Sequence, residues 1–193
     1  MQETMPVPAT IRKIVLTGFM GAGKSTIGPL LAQKLGWQFL DADTAIESRA
    51  GKSVAEIFAQ HGESAFRALE AESIRDQAHR HNLVLALGGG ALESAATREL
   101  LASLDHTCVL FLDAPLEVLV TRCLQQPGAA ERPVLADRDR LLARFNARLP
   151  YYRNAHLTVT TAGLSPRAVV ARIVGVLGQS CIAGVTMEGV QTQ

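Results

Sequence analysis

Residues 18–26 read GFMGAGKST, and they join an apolar run (IRKIVLT, residues 11–17) to a segment with helical character at residues 24–35. The nonapeptide holds a glycine, four further residues and then glycine, lysine and serine, which is the spacing of a loop that wraps a nucleoside triphosphate. The context that this motif requires, a strand before it and a helix after it, is present. The chain therefore contains a phosphate loop (P-loop), and residues elsewhere must indicate what the phosphate is used for.

The residue types in this loop suit an anion. Its glycines let the backbone turn tightly and approach a charged oxygen, while backbone N–H groups and the N-terminus of the next helix face the phosphates. We expect Lys24 to reach the β- and γ-phosphates and the Ser25 hydroxyl to bind Mg²⁺. A glycine-rich turn without a ligand is the alternative. The predicted nucleotide-binding residues of the loop are Gly21, Ala22, Gly23, Lys24, Ser25 and Thr26.

The composition is that of a globular protein with one domain. The chain has 193 residues, of which 48% are hydrophobic and 19% charged. This is enough for one substantial core and short for two. A formal net charge of +1 argues against nucleic acid as a partner. No segment approaches the roughly 18 apolar residues of a membrane span. Three cysteines without a CxxC pair, and no apolar segment typical of a signal peptide, favour a cytoplasmic location.

Short apolar runs alternate with longer amphipathic ones, which predicts an α/β fold. The runs are near-continuously apolar, as expected of strands that are buried on both faces. Their order predicts a three-layer sandwich, a five-stranded parallel sheet flanked by helices. The predicted strands are residues 13–17, 37–40, 83–87, 107–112 and 156–161. The predicted helices are residues 24–35, 63–81, 94–104, 115–125, 137–153 and 165–177.

Two carboxylates follow the second predicted strand, in the sequence LDADTAIE. Asp41 and Asp43 lie where the strand becomes a loop, and ligands of open parallel sheets bind beyond the carboxyl ends of the strands. One carboxylate could hold hydrated Mg²⁺, and the other could accept a hydrogen bond from a substrate hydroxyl and orient or deprotonate it. The alternative is that an aspartate caps a helix beginning at Thr44.

Further polar groups follow in the segments GESAFRALEAE and LALGGGAL. Arg67 and Glu70 are three residues apart and hence neighbours on a helix, where an exposed ion pair is the alternative. The run Gly88, Gly89 and Gly90 directly follows the third predicted strand. Three glycines there indicate a close approach by a ligand or another backbone, with a plain flexible turn as the alternative.

Two arginines near the end of the chain could bind anionic groups. Arg132 lies in the loop-like segment QQPGAAERPV, where an arginine on a lid could neutralise a phosphoryl group in transfer. Arg148 precedes LPYY, and a planar guanidinium suits bidentate capture of a carboxylate. Taken singly, each is better interpreted as a solvated surface arginine.

Together these segments resemble the shikimate kinase family. The resemblance runs from about residue 12 to residue 177 and rests on GFMGAGKST, LDADTAIE, GESAFRALEAE, LALGGGAL, ERPVL and RLPYY, in the family's order and spacing. Valine in RPVL and the first tyrosine in LPYY depart from the usual leucines. The resemblance implies the P-loop kinase type of fold and phosphorylation of the 3-hydroxyl of shikimate by MgATP. We expect one kinase domain over residues 1–178, with a lid at about 125–136. The segment 179–193 has no clear period and is expected to be a mobile tail.

The resemblance also implies individual roles. Lys24, Asp43 and Arg132 would be catalytic, with Asp43 bonded to the reacting hydroxyls. Ser25 and Asp41 would hold the metal, Mg²⁺. The arginines would divide between the two substrates, with Arg122 and Arg132 at the nucleotide and Arg67 and Arg148 at the shikimate carboxylate. Glu70 would hold Arg67 in place. The predicted substrate-binding residues are Asp43, Arg67, Gly88, Gly89, Gly90 and Arg148.

Two other functions remain possible from the residues. A related small-molecule kinase, such as a gluconate kinase, would need the P-loop and lid but not two separated arginines. A nucleotide-dependent regulatory switch would not explain Asp43, Arg67 and Arg148 together. The resemblance implies a monomer that binds ATP and shikimate, with neither nucleic acid nor membrane as a partner.

Overall fold

A computed structural model describes residues 10–125 and 137–181. Its five strands form one parallel sheet in the order β2-β3-β1-β4-β5, flanked by helices, so the predicted fold class is confirmed. The strands are β1 (Lys13–Thr17), β2 (Gln38–Asp41), β3 (Leu83–Ala86), β4 (Thr107–Asp113) and β5 (Leu157–Thr160). The helices are α1 (Lys24–Leu35), α2 (Ala42–Ala50), α3 (Val54–Asp76), α4 (Ala95–Ala102), α5 (Leu116–Leu124), α6 (Arg138–Arg153) and α7 (Pro166–Cys181), with a 3₁₀ turn at Ala91–Glu93.

The three central strands carry most of the core, and the two edge strands contribute less. All residues of β1 and β3 are buried, as are the first six of β4. Three of the four residues in β2 are only partly buried, and two of the four in β5 are exposed. The expectation of burial on both faces is therefore correct for β1, β3 and β4 and wrong for the edges, because an edge strand has a neighbour on one side only.

The region between β2 and β3 differs most from the sequence-based prediction. A helix predicted at 63–81 in fact spans Val54–Asp76 and is interrupted at Gly62, whose φ is 77°. Helix α2 was not among the predicted helices, and a helix beginning at Thr44 was only the alternative interpretation of the aspartates. Ser53 starts α3 with a capping box, in which its hydroxyl accepts from the Glu56 N–H and the Glu56 carboxylate accepts from the Ser53 N–H. The two helices pack on each other around a small apolar cluster of Ile46, Ile57 and Phe66.

The other helices deviate less. Helix α4 ends two residues before its predicted end, and α5 and α6 each lie within one residue of their predicted bounds. Helix α7 was expected to end at residue 177, but helical structure resumes after a break at Gly178 and reaches Cys181. The start of the segment predicted as a tail is therefore helical. The predicted lid lies outside the described residues except at its first residue, Gln125.

A buried lysine connects the central strand to α3. Lys13, the first residue of β1, is only 3% exposed. Its amine donates hydrogen bonds to the carbonyls of Gln77 and Ala78, both at 2.6 Å, just beyond the end of α3. A cation at this end of a helix satisfies orphan carbonyls and opposes the negative end of the helix dipole. Strand β1 and the C-terminal end of α3 are thereby held together.

Within residues 10–125 and 137–181, no helix has the length and apolar character needed to cross a membrane.

The core depends on the packing of α1 against the sheet. Leu31 is fully buried, so Leu31→Ala should lower the free energy of unfolding by about 2–5 kcal/mol through lost burial and an unfilled cavity. Leu142 on α6 is 44% exposed, and Leu142→Ala should change stability by about 0.5 kcal/mol or less. Urea denaturation of both variants measures the difference. Equal losses would contradict this assignment of the core.

Candidate active site

The P-loop connects the central strand to α1. Gly21 and Gly23 have φ values of 76° and 96°, a region that other residues rarely adopt. The Lys24 amine lies across the loop and donates hydrogen bonds to the carbonyls of Gly18 (2.6 Å) and Phe19 (3.3 Å). Burial lowers the pKa of Lys24 to about 8, an effect that the carboxylates of Asp43 and Asp41 oppose. A cation so poorly hydrated is stabilised by any anion that enters the loop.

Asp41 has two partners, one on each side of the cleft beside the P-loop. One of its oxygens accepts a hydrogen bond from the Ser25 hydroxyl at 2.9 Å, and the other accepts from the backbone N–H of Asp43 at 3.1 Å. The second contact caps α2, so the capping alternative is correct for Asp41, although the helix begins at Ala42 rather than at Thr44. A hydroxyl and a carboxylate oxygen side by side suit hydrated Mg²⁺, which takes one or two carboxylates plus phosphate oxygens.

The Asp43 side chain lines the cleft beside the P-loop, and its Oδ1 atom faces the backbone of Gly88. Its Oδ1 atom is buried and has no hydrogen-bond partner within the described part of the chain. Burial raises the pKa of Asp43, the Asp41 carboxylate adds to the rise and Lys24 opposes it. A buried carboxylate oxygen without a donor is costly. The residue as a whole is only partly buried and lines the cleft, so a ligand hydroxyl could still reach its carboxylate.

The triple glycine after β3 lies against this carboxylate. A Cβ atom at Gly88 would come within 2.6 Å of Asp43 Oδ1 and 2.7 Å of Glu70 Oε1, and one at Gly90 would overlap the Arg67 guanidinium. The segment is closely approached, but by side chains rather than by the ligand or backbone that the glycines predicted. The Gly89 carbonyl accepts a hydrogen bond from the Tyr152 hydroxyl.

Arg67 is surrounded by carboxylates. It forms ion pairs with Glu70 at 2.8 Å and Glu63 at 3.0 Å, and its guanidinium lies 3.5 Å from Glu93. The Glu70 side chain is only 1% exposed, so the pair of Arg67 and Glu70 is not the exposed pair of the alternative interpretation. Burial raises the pKa of Glu70 to about 7, although Arg67 opposes the rise. The Oε1 atom of Glu70 has no partner among the described residues, which is why burial dominates.

Arg148, on α6, contacts the Glu93 carboxylate that also lies near Arg67. Its Nη2 and Nε atoms donate to Glu93 Oε2 at 2.8 and 3.1 Å. The side chain is 11% exposed, so the interpretation of Arg148 as a solvated surface arginine is wrong. The structure thus brings Arg67 and Arg148, far apart in sequence, to one carboxylate oxygen.

The remaining predicted residues lie on the far side of the P-loop or outside the described chain. Arg122 donates to the hydroxyl (2.8 Å) and carbonyl (2.7 Å) of Thr161 and, more weakly, to the Gly21 carbonyl at 3.4 Å. It lines a pocket of about 220 Å³ between the loop and the start of α7. Arg132 lies outside the described residues.

One cleft of about 350 Å³ joins most of these groups. The P-loop residues Lys24 and Ser25 form one end, and Asp43, Gly89 and Arg148 line it further along. A triphosphate loop continuous with a polar acceptor pocket defines a P-loop phosphotransferase for a small molecule, rather than a site for a nucleotide alone.

Sequence reasoning missed three contributors to this site. Glu63 precedes Arg67 by four residues and Tyr152 follows Arg148 by four, so helical spacing alone could have indicated both. Glu93 follows the triple glycine in a 3₁₀ turn and meets both arginines only through the fold. No local pattern marks it.

Comparisons with known proteins agree with the class of the site. The family model described as "Shikimate kinase" matches residues 20–178. A shikimate kinase of Geobacter metallireducens is 40% identical over 178 residues, covering 91% of this chain and 97% of the relative. One from Geobacter sulfurreducens is 44% identical over 173 residues, covering 88% and 93%. The solved structure of a shikimate kinase from Acinetobacter baumannii in complex with shikimate is 35% identical and has a TM-score of 0.78. The match covers 88% of this chain and 94% of the Acinetobacter chain.

The chain belongs to the shikimate kinase family. The resemblance that the motifs indicated is thereby confirmed.

The raised pKa of Glu70 predicts a pH-dependent stability. The ordinary pKa of a glutamate is 4.5, and that of Glu70 in the folded chain is about 7. Between pH 4.5 and pH 7 the unfolded chain therefore loses the Glu70 proton while the folded chain retains it. The contribution of Glu70 to the free energy of unfolding should therefore fall as pH rises through this window, by on the order of 3 kcal/mol. Urea denaturation of the wild type and of Glu70→Gln at pH 4.5, 6 and 7.5 isolates the contribution as a difference. A difference that grows with pH would show that Arg67, rather than burial, controls Glu70.

Proposed function

We propose that the chain transfers the γ-phosphoryl group of ATP to the 3-hydroxyl of shikimate, a step towards chorismate and the aromatic amino acids. The observation that carries the proposal is the convergence of Arg67 and Arg148 on one carboxylate oxygen, beside the cleft that Arg148 and the P-loop line. This pair suits a small acid that also presents hydroxyls to Asp43. The family membership and the complex of the Acinetobacter relative with shikimate support the same substrate.

The donor half of the site consists of the P-loop and the pocket behind it. Residues Gly21 to Thr26 hold the phosphates, and Lys24 guides the γ-phosphoryl group while its charge balances the transferring oxygens. Ser25 and Asp41 would hold Mg²⁺, which would neutralise charge on the phosphates. Arg122 packs beside the adenine, and Arg132 covers the phosphates from the lid.

The acceptor half holds a carboxylate at one end and a hydroxyl at the other. Arg67 and Arg148 bind the shikimate carboxylate, and Glu70 holds Arg67 in orientation through their 2.8 Å contact. The Asp43 carboxylate, which lines the cleft, accepts the hydrogen bond of the reacting hydroxyl. The backbone of Gly88, Gly89 and Gly90 forms the wall, with Gly89 donating to substrate. Positioning and charge therefore supply the catalysis.

We also propose the extent of the domain, the oligomeric state and the location of the enzyme. Residues 1–178 form a single kinase domain with a lid at about 125–136, which the end of the family match at residue 178 supports. The residues beyond form a tail, whose first three belong to α7. The enzyme acts as a cytoplasmic monomer without nucleic acid or membrane partners, as the near-neutral net charge and the cysteine content favour.

An ADP-release assay tests the function directly. The protein with MgATP should release ADP rapidly with shikimate and only at background rate without it. Gluconate should not replace shikimate, because a flexible open-chain acid does not match two fixed arginines and Asp43. Turnover with gluconate alone would favour the related kinase. A shikimate-independent ATPase with no stimulation would favour the regulatory switch.

Replacement of Asp43 separates chemistry from nucleotide binding. Asp43→Asn should retain ATP affinity but lower kcat by about 10²- to 10⁴-fold, because the amide is a poor acceptor and cannot take up the proton. Asp105→Asn is the matched control, since Asp105 is exposed and precedes β4 at the opposite end of the sheet. Steady-state kinetics and calorimetric ATP titration measure the two quantities. An Asp43→Asn enzyme with unchanged kcat would rule out the assigned role.

A further inference from the structure

Glu93 lies where the substrate carboxylate is expected. Its Oε2 atom is 2.8 Å from Arg148 Nη2, 3.1 Å from Arg148 Nε and 3.5 Å from Arg67 Nη2. A substrate carboxylate bound by both arginines would need the same hydrogen-bond donors. Two carboxylates cannot share this point without strong repulsion at such short distances.

The arginines are fixed, whereas the Glu93 side chain is free to leave. Arg67 and Arg148 are 19% and 11% exposed, but the Glu93 side chain is 36% exposed. Arg67 would retain Glu70 and Glu63 as partners after Glu93 departs. For Arg148, Glu93 is the only ion-pair partner in the described ranges 10–125 and 137–181. An incoming carboxylate would therefore replace Glu93 chiefly at Arg148.

The backbone of Glu93 is held in place, so that only its side chain would move when its carboxylate leaves Arg148. The Arg98 guanidinium donates to the carbonyls of Leu92 (2.6 Å) and Glu93 (2.9 Å), and it lies over the Tyr151 ring with 4.6 Å to the centroid. These contacts fix the end of the 3₁₀ turn. Displacement then requires only side-chain rotation, and the carboxylate stays close enough to return after the product leaves.

We propose that Glu93 is an internal competitor for the acceptor's carboxylate, which sets the affinity for shikimate and excludes uncharged acceptors. This inference rests on the proposed function, because it takes Arg67 and Arg148 as the carboxylate clamp. An anionic acceptor restores the ion pairs that Glu93 gives up. A neutral polyol cannot restore them, so its binding would leave Arg148 without a partner at a considerable desolvation cost.

Glu93→Gln should lower the KM for shikimate about fivefold, the size expected of a partly exposed ion pair. The change should fall on this KM and on the calorimetric Kd for shikimate, rather than on kcat or on the KM for ATP. Glu99→Gln is the matched control. It removes an exposed carboxylate from the neighbouring α4 and should leave all these constants as in the wild type.

A double-mutant cycle tests whether the effect acts through Arg148. Arg148→Ala should raise the KM for shikimate, and adding Glu93→Gln to it should recover much less than the fivefold gain. An unchanged or raised KM in Glu93→Gln, or an equal gain with and without Arg148, would overturn the inference while leaving the kinase function intact. Failure of the wild type to phosphorylate shikimate would instead count against the proposed function itself, and the inference would fall with it.

Discussion

The acceptor side of the site depends on the close approach of two carboxylates to a glycine backbone. Asp43 and Glu70 each place at Gly88 an oxygen that has no hydrogen-bond partner among the described residues, within the distance at which any Cβ would collide. Burial raises the pKa of both groups, and Arg67 limits the rise at Glu70. A pocket that already carries poorly solvated negative charge favours ligands that bring hydroxyl hydrogens. Such a pocket also needs arginines for the opposite end of the ligand.

The sheet brings the two halves of the reaction together. The P-loop follows β1, the aspartates follow β2 and the glycines follow β3, and these three strands are neighbours in the order β2-β3-β1. Because the strands are parallel, their carboxyl ends meet at one edge, where ligands of such sheets bind. Arg148 joins from α6, and the Tyr152 hydroxyl links that helix to the Gly89 carbonyl. Charge recognition and phosphate binding thus share one rigid frame.

Much of this arrangement could be predicted from the sequence because it is local. The P-loop motif, the apolar runs of β1, β3 and β4 and the strand-end aspartates each carry a pattern that a few adjacent residues complete. Helix α2 was left out of the predicted helices because its short, mixed segment has no clear period. The start of α3 could have been predicted, because Ser53 and Glu56 form a capping-box pattern there. Glu93 could not be predicted, since its meeting with Arg67 and Arg148 involves three separate segments of the chain.

Lys13 gives the molecule a mechanical property beyond its role in capping α3. The five residues of β1 span about 16 Å. The strand leads into the P-loop at one end, and through the Lys13 amine it grips the end of the helix that bears Arg67 and Glu70. Lys13 therefore ties the strand that leads into the P-loop to the helix that bears Arg67 and Glu70, so the relative placement of the phosphate site and the arginine clamp depends on this contact. The distance between the phosphates and the acceptor's carboxylate would thus depend in part on β1, a strand that contacts neither ligand.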